Sequence, residues 1–382
     1  MTMAFDFLAV PTMHFAAGCV ANIATVVNQL GMTKPLIVTD RGIMQHNLLD
    51  SALTSLANSG IDYVVYSDVQ ADPPEANVVA SASLAKKNGC DGVIGFGGGS
   101  SMDVAKLVAV LLKGEQSLPD IYGVDQITSA RTPLVQVPTT AGTGSEATSV
   151  AIVTTGESTK AGVVSRVLFA DTILLDPELT LGLPPHGTAA TGIDAMVHAI
   201  EAFTSKRLKN PISDMLSLKA LSLMSASIKT TVENGADLDA RSDMLLGAML
   251  AGQAFANSPV GAVHALAYPL GGIYHIPHGL SNSLVLPHIL RFNAAEAGHL
   301  YVQLMPAILP GVEIVDAPQQ LADYFLSLAQ ELGLETRLSQ LGIPESALET
   351  LAEQSMLQTR LLINNPRTVS YDQALSIYQQ AY

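Results

Sequence analysis

The chain has 382 residues, 48% hydrophobic and 14% charged, so it can hold two domains with full cores and is too apolar to be disordered. A formal net charge of -15 argues against a nucleic-acid partner, because little would neutralise a phosphate backbone. The low charged fraction leaves much neutral surface, which favours a homodimer or higher homo-oligomer. Cys19 and Cys90 stand in no metal or redox spacing, which fits a reduced, cytoplasmic setting. Residues Met1–Asp6 carry no basic region and no long apolar run, so no signal peptide is expected. The most apolar helical stretch, Val104–Leu112, is interrupted by Lys106 and too short to span a membrane, so no membrane partner is expected.

In chain order, a short extended segment (Phe7–Phe15) precedes a helix over about Val20–Leu30. Pro35–Asp40 reads as a buried parallel strand, apolar and β-branched, ending in a polar pair. An amphipathic helix over Leu48–Ser59 stops at Gly60, and Ile61–Tyr66 is a second strand. Asp72-Pro73-Pro74 turns into a helix running to Asn88. Gly92–Phe96 is a third strand, delivering Gly97-Gly98-Gly99-Ser100 into the helix Met102–Leu112. Leu134–Pro138, Ala151–Thr154 and Thr172–Asp176 are further strands. This alternation predicts a doubly wound, mostly parallel, Rossmann-like α/β sheet. Beyond Leu183-Pro184-Pro185 the strand signals vanish, and helices are expected over 188–204, 211–233, 240–256 and 317–332. Residues 345–361 and 371–382 read as closing helices separated by a turn at Asn364-Asn365-Pro366. We therefore expect an α/β domain at 1–183 and an all-α domain at 184–382.

Three stretches could carry chemistry in the α/β domain. Three glycines and two serines between a strand and a helix let backbone N–H groups approach a phosphate at a helix N-terminus, although the run also suits a plain tight turn. Pro138-Thr139-Thr140-Ala141-Gly142-Thr143-Gly144-Ser145-Glu146 follows another strand, where hydroxyls and glycines can bind ribose and pyrophosphate. Its alternative is an N-capping loop with Ser145 as the cap. Asp40 ends the first core strand, where a carboxylate would accept ribose hydroxyls and repel a 2′-phosphate, favouring NAD over NADP. It serves equally well as a helix cap.

In the helical domain, Asp194 and His198 are four apart and share a helix face. His264 and His278 are fourteen apart in a stretch rich in Gly, Pro and aromatic residues. One carboxylate and three imidazoles suit a divalent first-row metal and leave a coordination position open. The ordinary alternatives are a solvent-facing Asp–His pair and two core-edge imidazoles satisfied by backbone. A metal there would act as a Lewis acid on an alcohol or carbonyl oxygen while hydride passes between substrate carbon and nicotinamide.

Together these pieces resemble the iron-containing (group III) alcohol dehydrogenases over nearly the whole chain. The matching residues are Gly97-Gly98-Gly99-Ser100-x-x-Asp103-x-x-Lys106, Pro138 through Glu146, Leu175-Asp176-Pro177 with Leu183-Pro184-Pro185, Gly192-Ile193-Asp194-x-x-x-His198-Ala199-Ile200-Glu201, and His264 through His278-Gly279. The resemblance implies a fold of the dehydroquinate synthase-like class with a cleft between the domains for NAD(P) and metal. It implies Asp194, His198, His264 and His278 as ligands of Fe²⁺, or alternatively Zn²⁺. It implies that Gly97, Gly98, Gly99 and Ser100 carry the pyrophosphate. Thr139, Thr140, Thr143 and Ser145 would lie near the adenine and nicotinamide halves, and Lys160 near the nicotinamide ribose. Phe255 and Asn257 match a stretch lining the alcohol pocket.

One departure bears on chemistry. Many members carry a histidine, credited with relaying the proton, where this chain has Tyr268. A phenol ordinarily titrates near about 10, so at neutral pH it is a poorer base than imidazole. Tyr268 is then a pocket wall or passive relay, with His275 the alternative proton carrier. The expected activity is NAD- and metal-dependent interconversion of small primary alcohols and aldehydes. The alternatives on the same fold are a hydroxyacid–oxoacid transhydrogenase, to which Tyr268 is similar, and a maleylacetate reductase-like enzyme. Few basic residues near the motifs weigh against a carboxylate substrate and against a dehydroquinate synthase-type lyase.

Overall fold

The computed structural model describes residues 4–156 and 159–382. Met1–Met3, part of the segment expected to carry no signal peptide, lie outside the described residues. The chain divides into two compact units, one spanning Leu8–Gly182 and the other Leu183–Tyr382 with the segment ending at Phe7.

The first unit contains β1 (Thr12–Phe15), α1 (Ile23–Gln29), β2 (Pro35–Val38), α2 (Arg41–Gln45), α3 (Asp50–Asn58), β3 (Val64–Tyr66) and α4 (Glu75–Asn88). It continues with β4 (Gly92–Gly97), α5 (Gly99–Lys113), β5 (Gly123–Val124), β6 (Leu134–Pro138), β7 (Val150–Thr155), β8 (Thr159–Val164) and β9 (Thr172–Leu175). Six strands form one parallel sheet in the order β1-β9-β6-β4-β2-β3. Its central strands are buried on both faces, which is why they read as continuous apolar runs. Ile23, Val27 and Leu56 cover one face against Ile37, Phe96 and Val137. Ala151–Thr154, expected in that sheet, instead lie in β7, which pairs antiparallel with β8 in a separate three-stranded sheet, β5-β8-β7. The Asp176 carboxylate accepts from the Gly18, Val20 and Glu178 N–H groups, tying the loop after β1 to the end of β9.

The second unit is helical: α6 (Pro185–Thr204), α7 (Pro211–Glu233), α8 (Leu238–Asn257), α9 (Ala262–Tyr274), α10 (His278–Ile308), α11 (Ala317–Glu331), α12 (Leu348–Met356), α13 (Thr359–Leu362) and α14 (Tyr371–Ala381). Pro185 opens α6 at a position where a missing N–H costs nothing. From Gly192 to Thr204 every α6 residue is buried, as expected of a central helix that is apolar nearly all round. It packs on α7, α8 and α10. Gly192 permits this approach, since a Cβ there would come within 2.8 Å of Met244 and 3.0 Å of Ile228. Among the described residues, no helix is long and apolar enough to cross a membrane.

Candidate metal centre and nucleotide rim

α6 presents Asp194, His198 and Glu201 on one face, at the i, i+4, i+7 spacing of a buried stripe. His264 lies in the first turn of α9 and His278 is the first residue of α10. The ligand atoms of Asp194, His198, His264 and His278 all lie within 4.8 Å of one another. The Asp194 Oδ1 is 3.9 Å from His198 Nε2, 4.0 Å from His264 Nε2 and 3.7 Å from His278 Nε2. These are the separations of groups that face a common point rather than each other. Burial alone would push the Asp194 carboxyl up. The surrounding imidazoles and the Asn282 amide outweigh it and hold the group below its ordinary value. Three of the four residues are buried, and His278, with 40% of its side chain exposed, forms the open side.

The supporting shell is specific. His264 donates from Nδ1 to Glu201 Oε2 at 2.6 Å, and Glu201 Oε1 accepts the Val263 N–H at 2.7 Å. One carboxylate thus satisfies the start of α9 and fixes the tautomer of His264, turning the Nε2 lone pair toward the shared point, where the Asn282 amide nitrogen lies 3.3 Å away. His198 is stacked between Phe255 (centroids 4.5 Å) and His264 (4.7 Å). Gly279 lets α10 reach α6: a Cβ there would fall 2.2 Å from the Ala190 carbonyl oxygen and 3.2 Å from Asp194 Cβ. A carboxylate and three imidazoles, with one imidazole tied to a carboxylate and one side open, fit a catalytic divalent cation.

Of the other residues singled out in the sequence, Phe255 walls the centre beside His198. Tyr268 packs against His278, with centroids 5.9 Å apart. Asn257 is buried and donates from Nδ2 to the Gln253 carbonyl in its own helix. His275 is exposed at the C-terminal end of α9 with left-handed backbone, φ 55°, and no ring contact among the described residues links it to the other three imidazoles. Glu201 was present in the sequence motif without a role. Its i+7 spacing from Asp194 is the signal that points to it.

The α/β unit gathers a second set at the carboxyl ends of β2, β4 and β6. Gly97 has φ 146°, closed to most L residues, and a Cβ on it would lie 3.4 Å from Asp40 Oδ2. Gly98 lies beside Thr140, and a Cβ on Gly99 would come within 2.8 Å of the Thr143 side chain. α5 therefore starts on a glycine that admits the threonine loop, with the N–H groups of its first turn at the rim. Asp40 also caps α2, its Oδ1 accepting the Ile43 N–H at 3.1 Å. The capping reading is thus met, and the other carboxylate oxygen lies beside Gly97.

Ser145 and Thr139 are buried. Gly144, not Ser145, takes the capping position of the short 3-10 turn. The Ser145 hydroxyl donates to Asp103 Oδ1 at 2.6 Å and accepts from Lys106 Nζ at 2.8 Å. Lys106, fully buried, donates also to Thr148 Oγ1 and the Val150 carbonyl, while Asp103 Oδ2 accepts the Ile152 N–H. Asp103 and Lys106 thus clamp the threonine loop onto α5. Burial holds the Lys106 ammonium down, opposed by Asp103, and pushes the buried Glu146 up to about 7, opposed by Lys106. Lys160 forms an ion pair with Asp72 at 2.5 Å and donates to Thr154 Oγ1.

Residues 11–177 match the family model for iron-containing alcohol dehydrogenase, and residues 188–382 match that for the C-terminal part of the Fe-containing alcohol dehydrogenase family. The chain is 36% identical to long-chain-alcohol dehydrogenase 1 of Geobacillus thermodenitrificans, over 97% of this chain and 95% of that one. A crystal structure of 1,3-propanediol oxidoreductase superposes with a TM-score of 0.95 at 31% identity, covering 100% of both chains. The sulfoacetaldehyde reductase of Bifidobacterium kashiwanohense, solved in complex with NAD⁺, gives 0.88 at 29% identity, covering 99% of both.

Proposed function

The chain belongs to the iron-containing alcohol dehydrogenase family, an oxidoreductase fold acting between alcohols and aldehydes, and from that premise we propose that it oxidises small primary alcohols with NAD and a divalent metal, and runs the reverse reduction. The observation that carries the reading is the convergence of Asp194, His198, His264 and His278 within 4.8 Å, open at His278. A bound Fe²⁺, or alternatively Zn²⁺, would supply Lewis-acid polarisation of the substrate oxygen. The protein's own residues do the rest. Glu201 keeps His264 in one tautomer, and Phe255 and Tyr268 wall the site beside His198 and His278. Tyr268 can pass a proton only by donating and accepting in one step, which suits a wall or passive relay; His275, exposed and outside the ring cluster, is the weaker candidate.

The α/β unit would hold NAD, with the pyrophosphate on Gly97, Gly98, Gly99 and Ser100 and the ribose hydroxyls on Asp40. Thr140 and Thr143 stay half-exposed beside them, whereas Thr139 and Ser145 shape the rim from beneath. The Asp40 carboxylate disfavours the 2′-phosphate of NADP. We place the protein in the cytoplasm as a homodimer or higher oligomer. Its cysteines are unpaired, with the Cys19 thiol pushed up to about 11 by burial and so unreactive.

The test is metal analysis of the purified protein with an NAD(H) assay over alcohols, diols and aldehydes. NADH formation lost on chelation and in His264→Ala is expected. A folded, metal-loaded protein with no turnover across that panel would overturn the reading. Tyr268 favours one second reading, transhydrogenation between a hydroxyacid and an oxoacid, which exchange of 4-hydroxybutyrate with 2-oxoglutarate without added NAD would reveal.

A further inference from the structure

Asp40 and Arg41 are neighbours in the sequence, yet Arg41 is paired elsewhere. Asp40 turns Oδ1 to the Ile43 N–H, and a Cβ on Gly97 would lie 3.4 Å from its Oδ2. Arg41, the first residue of α2, donates from Nε to Asp68 Oδ1 at 2.8 Å, and its Nη2 lies 2.7 Å from the same oxygen. Backbone contacts set Asp68 in place. β2 and β3 run parallel with Val38 opposite Tyr66. Beyond them the Thr39 N–H donates to the Tyr66 carbonyl at 2.9 Å, and the Thr39 carbonyl accepts the Val69 N–H at 3.3 Å. Asn77, buried on α4, fastens the same loop: its Nδ2 donates to the Asp68 carbonyl at 3.1 Å and its Oδ1 accepts the Gln70 N–H at 3.0 Å. Asp40 and Asp68 thus stand just past the carboxyl ends of adjacent parallel strands.

In dinucleotide folds a carboxylate at this rim reads a bare 2′-hydroxyl, and a nearby arginine accommodates a 2′-phosphate. This chain has one of each, side by side. A released guanidinium could bring a fork of N–H donors to a phosphate and offset the Asp40 charge. Held by Asp68, it does neither. With Asp68 the three side chains keep an excess of one negative charge; without it Asp40 and Arg41 balance. The ion pair is exposed, with 77% of the Arg41 side chain and 56% of that of Asp68 in solvent, so its effect falls on local charge rather than on the stability of the fold.

We propose that Asp68 is a specificity-determining residue of the nucleotide site. By holding Arg41 it withdraws the guanidinium from a 2′-phosphate and leaves the Asp40 charge uncompensated, so that two carboxylates rather than one exclude NADP. Asp68 acts through Arg41 and is a positioning residue. The assignment rests on the nucleotide reading above.

The test is fluorescence titration of the full-length protein with NADH and with NADPH at low ionic strength, where exposed charges are least screened. Asp68→Ala removes both the charge and the acceptor that hold Arg41. It is expected to tighten NADPH about tenfold while NADH moves by less than about threefold. Adding Arg41→Ala to Asp68→Ala should abolish the gain. A merely structural role for Asp68 would move both nucleotides together. A folded Asp68→Ala variant whose ratio of NADPH to NADH affinity equals that of wild type overturns the proposal. So does a gain that survives in the double variant, because Arg41 would not then be the mediator. If Asp68→Ala does not fold, Asp68→Asn, which keeps the shape and removes the charge, is held to the same ratio. Wild-type protein that binds neither NADH nor NADPH defeats the nucleotide reading and this one with it. Wild-type protein that binds NADH, with the ratio unmoved by Asp68→Ala, defeats only this one.

Discussion

Glu201 holds His264 by its Nδ1–H and the Val263 N–H by its other oxygen, so one side chain sets both a tautomer and a helix start. Replacing it by Gln keeps the shape but removes the charge that draws the proton to Nδ1. Metal affinity of Glu201→Gln should fall about 10–100-fold with little change in melting temperature, measured by calorimetric titration. An affinity equal to wild type would show that packing alone orients the ring. His288, ten residues along α10 from His278, has a different role. Burial, with Arg291 second, pushes its imidazole from 6.5 down to about 4, and its Nδ1 has no hydrogen-bond partner among the described residues. The folded chain therefore resists protonation there, while the unfolded chain accepts a proton near 6.5. Its contribution to stability is constant above that pH and declines as pH falls toward 4, by up to about 3 kcal/mol. Urea unfolding of His288→Leu should show a flatter acid limb between those values, and an unaltered slope would refute the assignment.

At the scale of elements, the join between α6 and α10 depends on Gly279. The Cβ of alanine would meet backbone atoms of Ala190, which cannot rotate away. Gly279→Ala should cost about 1–3 kcal/mol through overpacking and displace His278 enough to reduce bound metal. Thermal melting and metal content check both halves, and a fully loaded, wild-type-stable variant would contradict the close approach. The sequence shows α6 plainly, because Asp194 and His198 stand one turn apart on an otherwise apolar helix. It hides α9 and α10. Pro269, Pro287 and Pro306 lie inside those helices, and Gly271-Gly272 and Gly279 interrupt the pattern. Local propensity predicts breaks there, and burial against α6 overrides it. That is why Asn282, an i+4 neighbour of His278, drew no notice. The short α2 and the strand β8 escaped for the opposite reason, being too brief or too polar to leave a periodic signal. The buried strands of the parallel sheet were legible because both their faces are covered.

At the scale of the molecule, the metal candidates all fall in the unit Leu183–Tyr382 and the nucleotide candidates all fall in Leu8–Gly182. Each set is supported from inside its own unit, Glu201 and Asn282 in one and the Asp103–Lys106 clamp in the other. Damage to one should therefore spare the fold of the other. His264→Ala removes one ligand and frees Glu201 from its partner. The variant should lose tight metal binding and turnover, while NADH still binds within about threefold of wild type, a difference of less than about 0.7 kcal/mol. Conversely, saturating metal-stripped wild type with cation at about 100 times its Kd should stabilise the helical unit by about 2.7 kcal/mol. The same addition should leave the melting of His264→Ala unmoved. NADH fluorescence titration and melting with and without metal test the two halves together. Loss of NADH affinity in a folded His264→Ala variant would mean that the two sets of residues are not energetically separate, and the division of labour between the units would have to be abandoned.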